Sequence, residues 1–273
     1  MNERAQGLQA VWPEGKPLIG MVHLLPLPGS PRWGGSMERV LERALTDARH
    51  LDEGGMQGIL VENLLDAPFY GSVAPPETVA AMSRIVASVC GAVDVPVGVN
   101  VLRNDARAAL GVAAATGAAF IRVNVHTGIM WTDQGAIQGS AADTLRARVV
   151  LAPDVAILAD VLVKHATPPP GLTLEDAAAD SWGRGLADGL VVSGSGTGKA
   201  TELQHVHRVR EAVPAAPVLV GSGVRIDAVG EVLAVADGAV VGTALTREDR
   251  AGSGVDPERV RRLVEAGGTA QEP

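Results

Sequence analysis

Glu62 and Lys164 each stand at or just past the end of a short apolar run, 59–63 and 155–163. A carboxylate and an amine brought to one place can move a proton beside a carbonyl, with the carboxylate as base and the amine polarising the carbonyl or forming an imine with it. His23 ends the run 18–23 and His165 follows Lys164, so either imidazole is placed to shuttle a second proton. Asp160 lies in the same run that leads to Lys164. Asn100, Arg122, Asn124, His126 and Asp133 supply groups that would hold substrate oxygens. Isomerisation, epimerisation and aldol-type cleavage are the reactions this set suits.

Two glycine-rich turns add an anion-binding element. Gly221-Ser222-Gly223 and Gly242-Thr243-Ala244 follow the last two apolar runs, and glycine lets backbone N–H groups come close to a phosphate. The turn at Gly194, Ser195 and Gly196 follows the run before them. It is not a nucleotide-binding loop, because Ser193 and Ala200 stand where that motif needs Gly and Ser/Thr. Phosphate binding is therefore assigned to Gly194, Ser195, Gly196, Ser222, Gly223, Gly242 and Thr243; the plainer alternative is that small residues only make tight turns. A divalent metal is a second alternative, with His23, Glu62, His126, Asp160 and His165 as donors and hydrolysis as its chemistry. No H-E-x-x-H spacing supports it, and His205 and His207 diverge on a helix. The cofactor is unknown on sequence grounds.

These residues need a frame that brings separate runs together. Eight short apolar runs alternate with eight Ala-rich helical patterns: 18–23, 59–63, 95–100, 120–125, 155–163, 189–193, 218–221 and 239–241, with helices after each. Strands alternating with helices form parallel βαβ units, and eight units predict a single (β/α)8 TIM barrel. A doubly wound open sheet would carry its glycine fingerprint after the first strand, where this chain has His23-Leu24-Leu25-Pro26. The barrel is expected over residues 16–267, with a flexible lead-in at 1–15 and a flexible tail at 268–273.

Side chains alternate across a strand. Phe120, Arg122, Asn124 and His126 are expected on one face, Gly98 with Asn100, Leu60 with Glu62, and Leu158 with Asp160, Leu162 and Lys164. The valines and isoleucines between them should face the helices, so the polar set converges inside. Arg122 and Asp160 lie on neighbouring strands as an ion pair that either serves the site or only fills the interior. Long loops after the first, second and fourth strands carry Trp33, Phe69, Tyr70 and Trp131, which can wall a pocket.

The composition excludes several function classes. Aromatic residues are 3% and net charge is -8 with no dense basic cluster, which argues against nucleic acid and anionic membranes. The most apolar stretch, 108–121, is too short to span a bilayer. One cysteine, Cys90, and no apolar signal core at the N-terminus set a cytoplasmic location as the expectation. The expected partner is a small phosphorylated metabolite, with homo-oligomerisation left open.

The blocks Lys16-Pro-Leu-Ile-Gly-Met-Val-His23, Val61-Glu-Asn63 with Asp66-Ala-Pro-Phe69, and Gly98-Val-Asn-Val-Leu-Arg-Asn-Asp105 resemble the BtpA/SgcQ family. So do Phe120-Ile-Arg-Val-Asn-Val-His-Thr-Gly128, Thr132-Asp-Gln-Gly135, Ala159-Asp160, Val163-Lys-His-Ala166 and Gly194-Ser-Gly-Thr-Gly198. The resemblance runs from about residue 16 to about residue 250, the length of a barrel. It implies a barrel of the ribulose-phosphate-binding kind. It also implies two kinds of role: enzymes of sugar metabolism, or an assembly and stability factor in photosystem I biogenesis.

Overall fold

Each of the eight apolar runs forms a parallel strand, because its β-branched residues are buried on both faces. The computed structural model describes residues 5–13, 15–194 and 201–268. The strands are β1 (Leu18–His23), β2 (Gly58–Glu62), β3 (Val97–Asn100), β4 (Phe120–Val123), β7 (Ala156–Val161), β9 (Gly189–Val192), β10 (Val218–Val220) and β11 (Ala239–Val241). They close into a barrel in the order β1-β11-β10-β9-β7-β4-β3-β2. First and last strands pair in register, Leu18 with Ala239 and Gly20 with Val241. The TIM barrel expected from the sequence is the fold.

Around it run α2 (Met37–Glu53), α3 (Pro76–Cys90), α4 (Ala106–Thr116), α5 (Ala141–Leu151), α6 (Leu174–Ala179), α7 (Leu203–Ala212), α8 (Val229–Val235) and α9 (Pro257–Gly268). Local sequence sets several of their ends. Ser36 Oγ accepts from Arg39 N to cap α2, and Asp105 Oδ1 accepts from Ala108 N to cap α4. Gly117, at φ +79°, stops α4 in the left-handed conformation.

Alternation divides the core in two. Val22, Ile59, Val61, Val97, Val99, Ile121, Val123, Ile157 and Val192 pack outward under the helices. Ile19, Met21, Leu60, Phe120, Leu158, Val191, Leu219 and Val240 fill the interior. Gly98 has to be glycine, because the Phe120 ring occupies the space a Cβ would take.

The floor of the barrel differs from expectation. Where the sequence reading has a flexible lead-in, α1 (Ala5–Val11) forms, and Leu8 and Trp12 join the interior core. Trp12 lies edge-on to Phe120, with ring centroids 5.0 Å apart, and donates Nε1–H to Gln57 O at 2.6 Å. At the other end of the chain α9 reaches Gly268, the first residue of the expected tail; 269–273 lie outside the described residues.

The loop after β4 is also more ordered than its sequence suggests. β5 (Ile129–Thr132) and β6 (Gly135–Gln138) form an antiparallel hairpin, and β8 (Ala166–Thr167) joins its edge. Val125, Met130, Ile137 and Val163 form a small core beneath this sheet at the barrel mouth.

Candidate active site

The interior changes from apolar to polar toward the C-terminal ends of the strands. Above the Leu60, Phe120 and Leu158 layer lies a ring of His23, Glu62, Asn100, Arg122 and Asp160, all buried. The register places His23 beside Glu62 and Glu62 beside Asn100.

Glu62 is held from both sides. Asn100 Nδ2 donates to Oε2 at 2.6 Å, and His23 Nε2 lies 3.9 Å from Oε1. Burial lowers the His23 pKa, with Lys164 and Arg122 adding to the effect and the Glu62 and Asp47 charges opposing it. The imidazole is therefore neutral near pH 7.

Arg122 and Asp160 form the other half of the ring. Arg122 Nε donates to Asp160 Oδ1 at 3.0 Å and Nη2 to Oδ2 at 3.2 Å. Asn124 Nδ2 gives Asp160 Oδ2 a further bond at 2.6 Å, leaving its own buried Oδ1 without a partner among the described residues. The neighbouring Asp160 and Glu62 charges raise the Arg122 pKa despite its burial. Gly221 carries no Cβ because Val191 and the Ser193 hydroxyl crowd that position, with Arg122 Nη2 only 3.3 Å away.

Lys164, half-buried, lies past the end of β7. Glu62, Arg122, Asn124, Lys164, His165 and Asp133 share one cavity of about 410 Å³ with Phe69 and Leu102. Burial and the Arg122 charge lower the Lys164 pKa, and Glu62 and Asp160 offset this only in part. Arg122 also neutralises Asp160, which weakens the pull of that carboxylate on the Lys164 amine.

Ser222, Gly223, Gly242 and Thr243 line a narrow cleft with His23, Glu62, Arg122 and Lys164, so the glycine turns adjoin the acid–base groups. Gly223 sits at φ +68°. Gly242 leaves room for His23, whose Cε1 would lie 3.0 Å from an added Cβ. Gly194 lies next to this cleft, but its N–H already donates to Ser222 Oγ at 2.8 Å. Ser195 and Gly196 lie outside the described residues.

Several residues fall elsewhere than expected. His126 does not face the barrel interior: β4 ends at Val123, the alternation stops, and Nε2 turns to Gly185 O at 2.7 Å. His165, at φ +58°, and Asp133, on the hairpin turn, are exposed at the rim of the cavity they share with Glu62. With Asp160 committed to Arg122 and Asn124, the five proposed metal donors do not converge. Among the described residues no group of three or more His, Cys, Asp or Glu side chains is arranged to hold a metal ion.

Sequence reasoning missed Arg103. It follows β3, lines the same cavity, is 7% exposed, and donates Nη2–H to Lys164 O at 2.8 Å. An arginine three residues past a strand's mouth end was the available signal. Its neighbours are clamps. Asn63 Oδ1 accepts from Leu102 N, Asp66 accepts from Leu27 N and Asn63 Nδ2, and Asn104 pairs with both backbone groups of Val125. These bonds fix the loops that present Arg103.

Comparison with known proteins places this architecture. A family described as the BtpA family matches residues 14–268. The photosystem I biogenesis protein BtpA of Synechocystis sp. is 48% identical over 250 residues, covering 92% of this chain and 87% of its own. SgcQ of Escherichia coli, named for the sgc region, is 33% identical over 253 residues, 92% of this chain and 93% of its own. Among solved structures, thiamine phosphate pyrophosphorylase of Pyrococcus furiosus superposes with a TM-score of 0.60 at 17% identity, over 99% and 100% of the two chains. Phosphoribosyl anthranilate isomerase of Thermus thermophilus gives 0.57 at 11% identity, over 93% and 100%. At these identities the superpositions establish the fold. No described helix is long and apolar enough to cross a membrane.

Proposed function

This chain belongs to the BtpA family, and from that premise we propose that it is an enzyme acting on a small phosphorylated metabolite of the sugar-phosphate class. The observation that carries the reading is one cavity at the barrel mouth lined by Glu62, Lys164 and Arg122, the same three groups that line the glycine-turn cleft. Barrel chemistry is performed at that end, and phosphate commonly sits at the last two strand–helix turns. Both superposed barrels carry a phosphorylated group in their names, which supports the same substrate class.

The reaction is proton transfer beside a carbonyl. Glu62 removes the proton, and the electron pair moves onto the carbonyl oxygen, where Lys164 donates a hydrogen bond or a proton. A lowered pKa makes the Lys164 ammonium a stronger acid, and the same shift leaves more free amine for an imine in an aldol-type cleavage. His23, neutral and beside Glu62, takes that proton from the Glu62 carboxyl and passes it to the neighbouring carbon or oxygen. Asn100 orients Glu62, and Arg122 with Asn124 orients the oxygens of the substrate.

A thermal-shift screen of phosphorylated sugars against their unphosphorylated counterparts tests this reading. A ligand at about 100 times its Kd adds about 2.7 kcal/mol, or roughly 5–10 °C of melting temperature. Stabilisation restricted to phosphorylated compounds is expected; none at all would sink it.

A second reading, assembly of a protein complex, rests on the relative named for photosystem I biogenesis and on Val149 and Val150, which are 72% and 80% exposed at the end of α5. It requires that patch rather than the cavity. Glu62→Gln and Lys164→Met would leave an assembly role intact, whereas Val149→Asp with Val150→Asp would abolish it.

A further inference from the structure

Arg103 is a buried cation without a counterion. Among the described residues no carboxylate lies within ion-pair distance of its guanidinium, which donates instead to the Lys164 carbonyl. Asp160, Glu62 and Asp133 attract it from farther off, while Arg122 repels it. Two of those carboxylates are already committed, Asp160 to Arg122 and Asn124, Glu62 to Asn100. Lys164, whose backbone Arg103 holds, likewise has no ion pair among the described residues.

Keeping such a cation buried is costly unless an anion arrives to meet it. A guanidinium fork suits a planar carboxylate, which it can bind through two parallel N–H groups. The glycine turns lie at the other end of the site: their cleft shares Glu62, Arg122 and Lys164 with the main cavity but does not include Arg103.

We propose that the substrate is a phosphorylated sugar acid, its carboxylate bound by Arg103, its phosphate at the Gly221–Gly223 and Gly242–Thr243 turns, and its reacting carbon between them at Glu62 and Lys164. This rests on the phosphate reading above and narrows it from sugar phosphates to those with an acid at the far end. The cavity of about 410 Å³ is of small-molecule size. Arg103 is then a substrate-binding residue that selects acids over the matching alcohols.

The test is calorimetric titration with pairs matched in chain length: 3-phosphoglycerate against glycerol 3-phosphate, 4-phosphoerythronate against erythritol 4-phosphate, and 6-phosphogluconate against glucitol 6-phosphate. In the wild type at least one acid should bind about 10–100-fold more tightly than its partner, the range of a charge-assisted hydrogen bond. Arg103→Met should erase that preference and leave the alcohol phosphates unchanged. Arg103→Lys, which keeps the charge and loses the fork, should retain part of it, and carries the test if the methionine variant does not fold. Equal binding within every pair, or equal weakening of both members by Arg103→Met, overturns the inference while the phosphate reading stands. Arg103-dependent binding of unphosphorylated gluconate as tight as 6-phosphogluconate overturns the phosphate reading and the two-ended substrate, leaving Arg103 as a carboxylate site. No binding of any phosphorylated probe overturns both.

Discussion

The Asn100 amide donates to one oxygen of Glu62 at 2.6 Å and leaves the other turned toward His23. Because Asn100 is a donor, it is satisfied equally by a carboxylate or by an amide oxygen. Glu62→Gln is therefore expected to keep the fold and ligand affinity while losing the proton acceptor. Turnover should drop about 10²–10⁴-fold once a substrate is in hand. A rate within twofold of wild type would remove Glu62 from the chemistry.

Lys164 should be the most reactive of the three lysines in the chain, because its amine is held below the ordinary lysine pKa. Brief treatment with glyceraldehyde 3-phosphate and cyanoborohydride near pH 7.5, mapped by mass spectrometry, is expected to label Lys164 ahead of Lys16 and Lys199. Lys164→Met should abolish the selective adduct. Uniform labelling of all three would contradict the proposed role.

The Arg122–Asp160 pair is fully enclosed, so breaking it strands a charge. Asp160→Ala is expected to cost about 3–5 kcal/mol, a fall of roughly 6–20 °C in melting temperature. Replacing both, as Arg122→Met with Asp160→Leu, should recover most of that loss while weakening ligand binding. A double variant no more stable than Asp160→Ala would show that the pair does more than neutralise itself.

Stability should fall on mild acidification. Burial depresses the pKa of His23 and of His126 in the native state, whereas in the unfolded chain each titrates near 6.5. Below about pH 6.5 the unfolded chain takes up protons that the native chain refuses, so native stability declines until pH passes the native values. Urea unfolding at pH 7.0 and 5.5 is expected to show a loss of about 1 kcal/mol per histidine, halved in His23→Gln. The same loss in wild type and variant would place the effect elsewhere.

At position 223 charge and strain can be separated. Gly223 has φ +68°, which asparagine and aspartate tolerate better than other residues do. Gly223→Asn should therefore cost little in ligand affinity, and Gly223→Asp should cost much more if phosphate sits there. Equal affinities for a phosphorylated ligand would argue against an anion at this turn.

Strand alternation was enough to place Glu62, Asn100, Arg122 and Asp160 around one interior, because each lies within a strand whose other face is valine or isoleucine. The same rule misplaced His126, since β4 stops at Val123 and the period of two has no meaning beyond it. Arg103 escaped notice for the same reason: its direction is set by loop clamps, Asn63 to Leu102 and Asn104 to Val125 in the segment after β4, which no local pattern reveals. The lead-in reads as polar because few of its residues, among them Leu8, Val11 and Trp12, pack on an apolar surface, and that surface includes Phe120.

Trp12 and the β1–β11 pairing together set a condition on how the chain acquires its structure. The tryptophan docks on Phe120, more than a hundred residues downstream, and Leu18, bonded to Gln57 on one side, finds its partner on the other side only at Ala239. A segment synthesised before both of these partners is thus among the last to be fully satisfied. Until β11 is available, the nascent sheet has two unpaired edges and an open floor. Contacts of such long sequence separation slow folding. Substitutions at Trp12 should therefore accelerate unfolding far more than they retard folding, which makes the N-terminal helix a latch on the finished barrel rather than a seed for it.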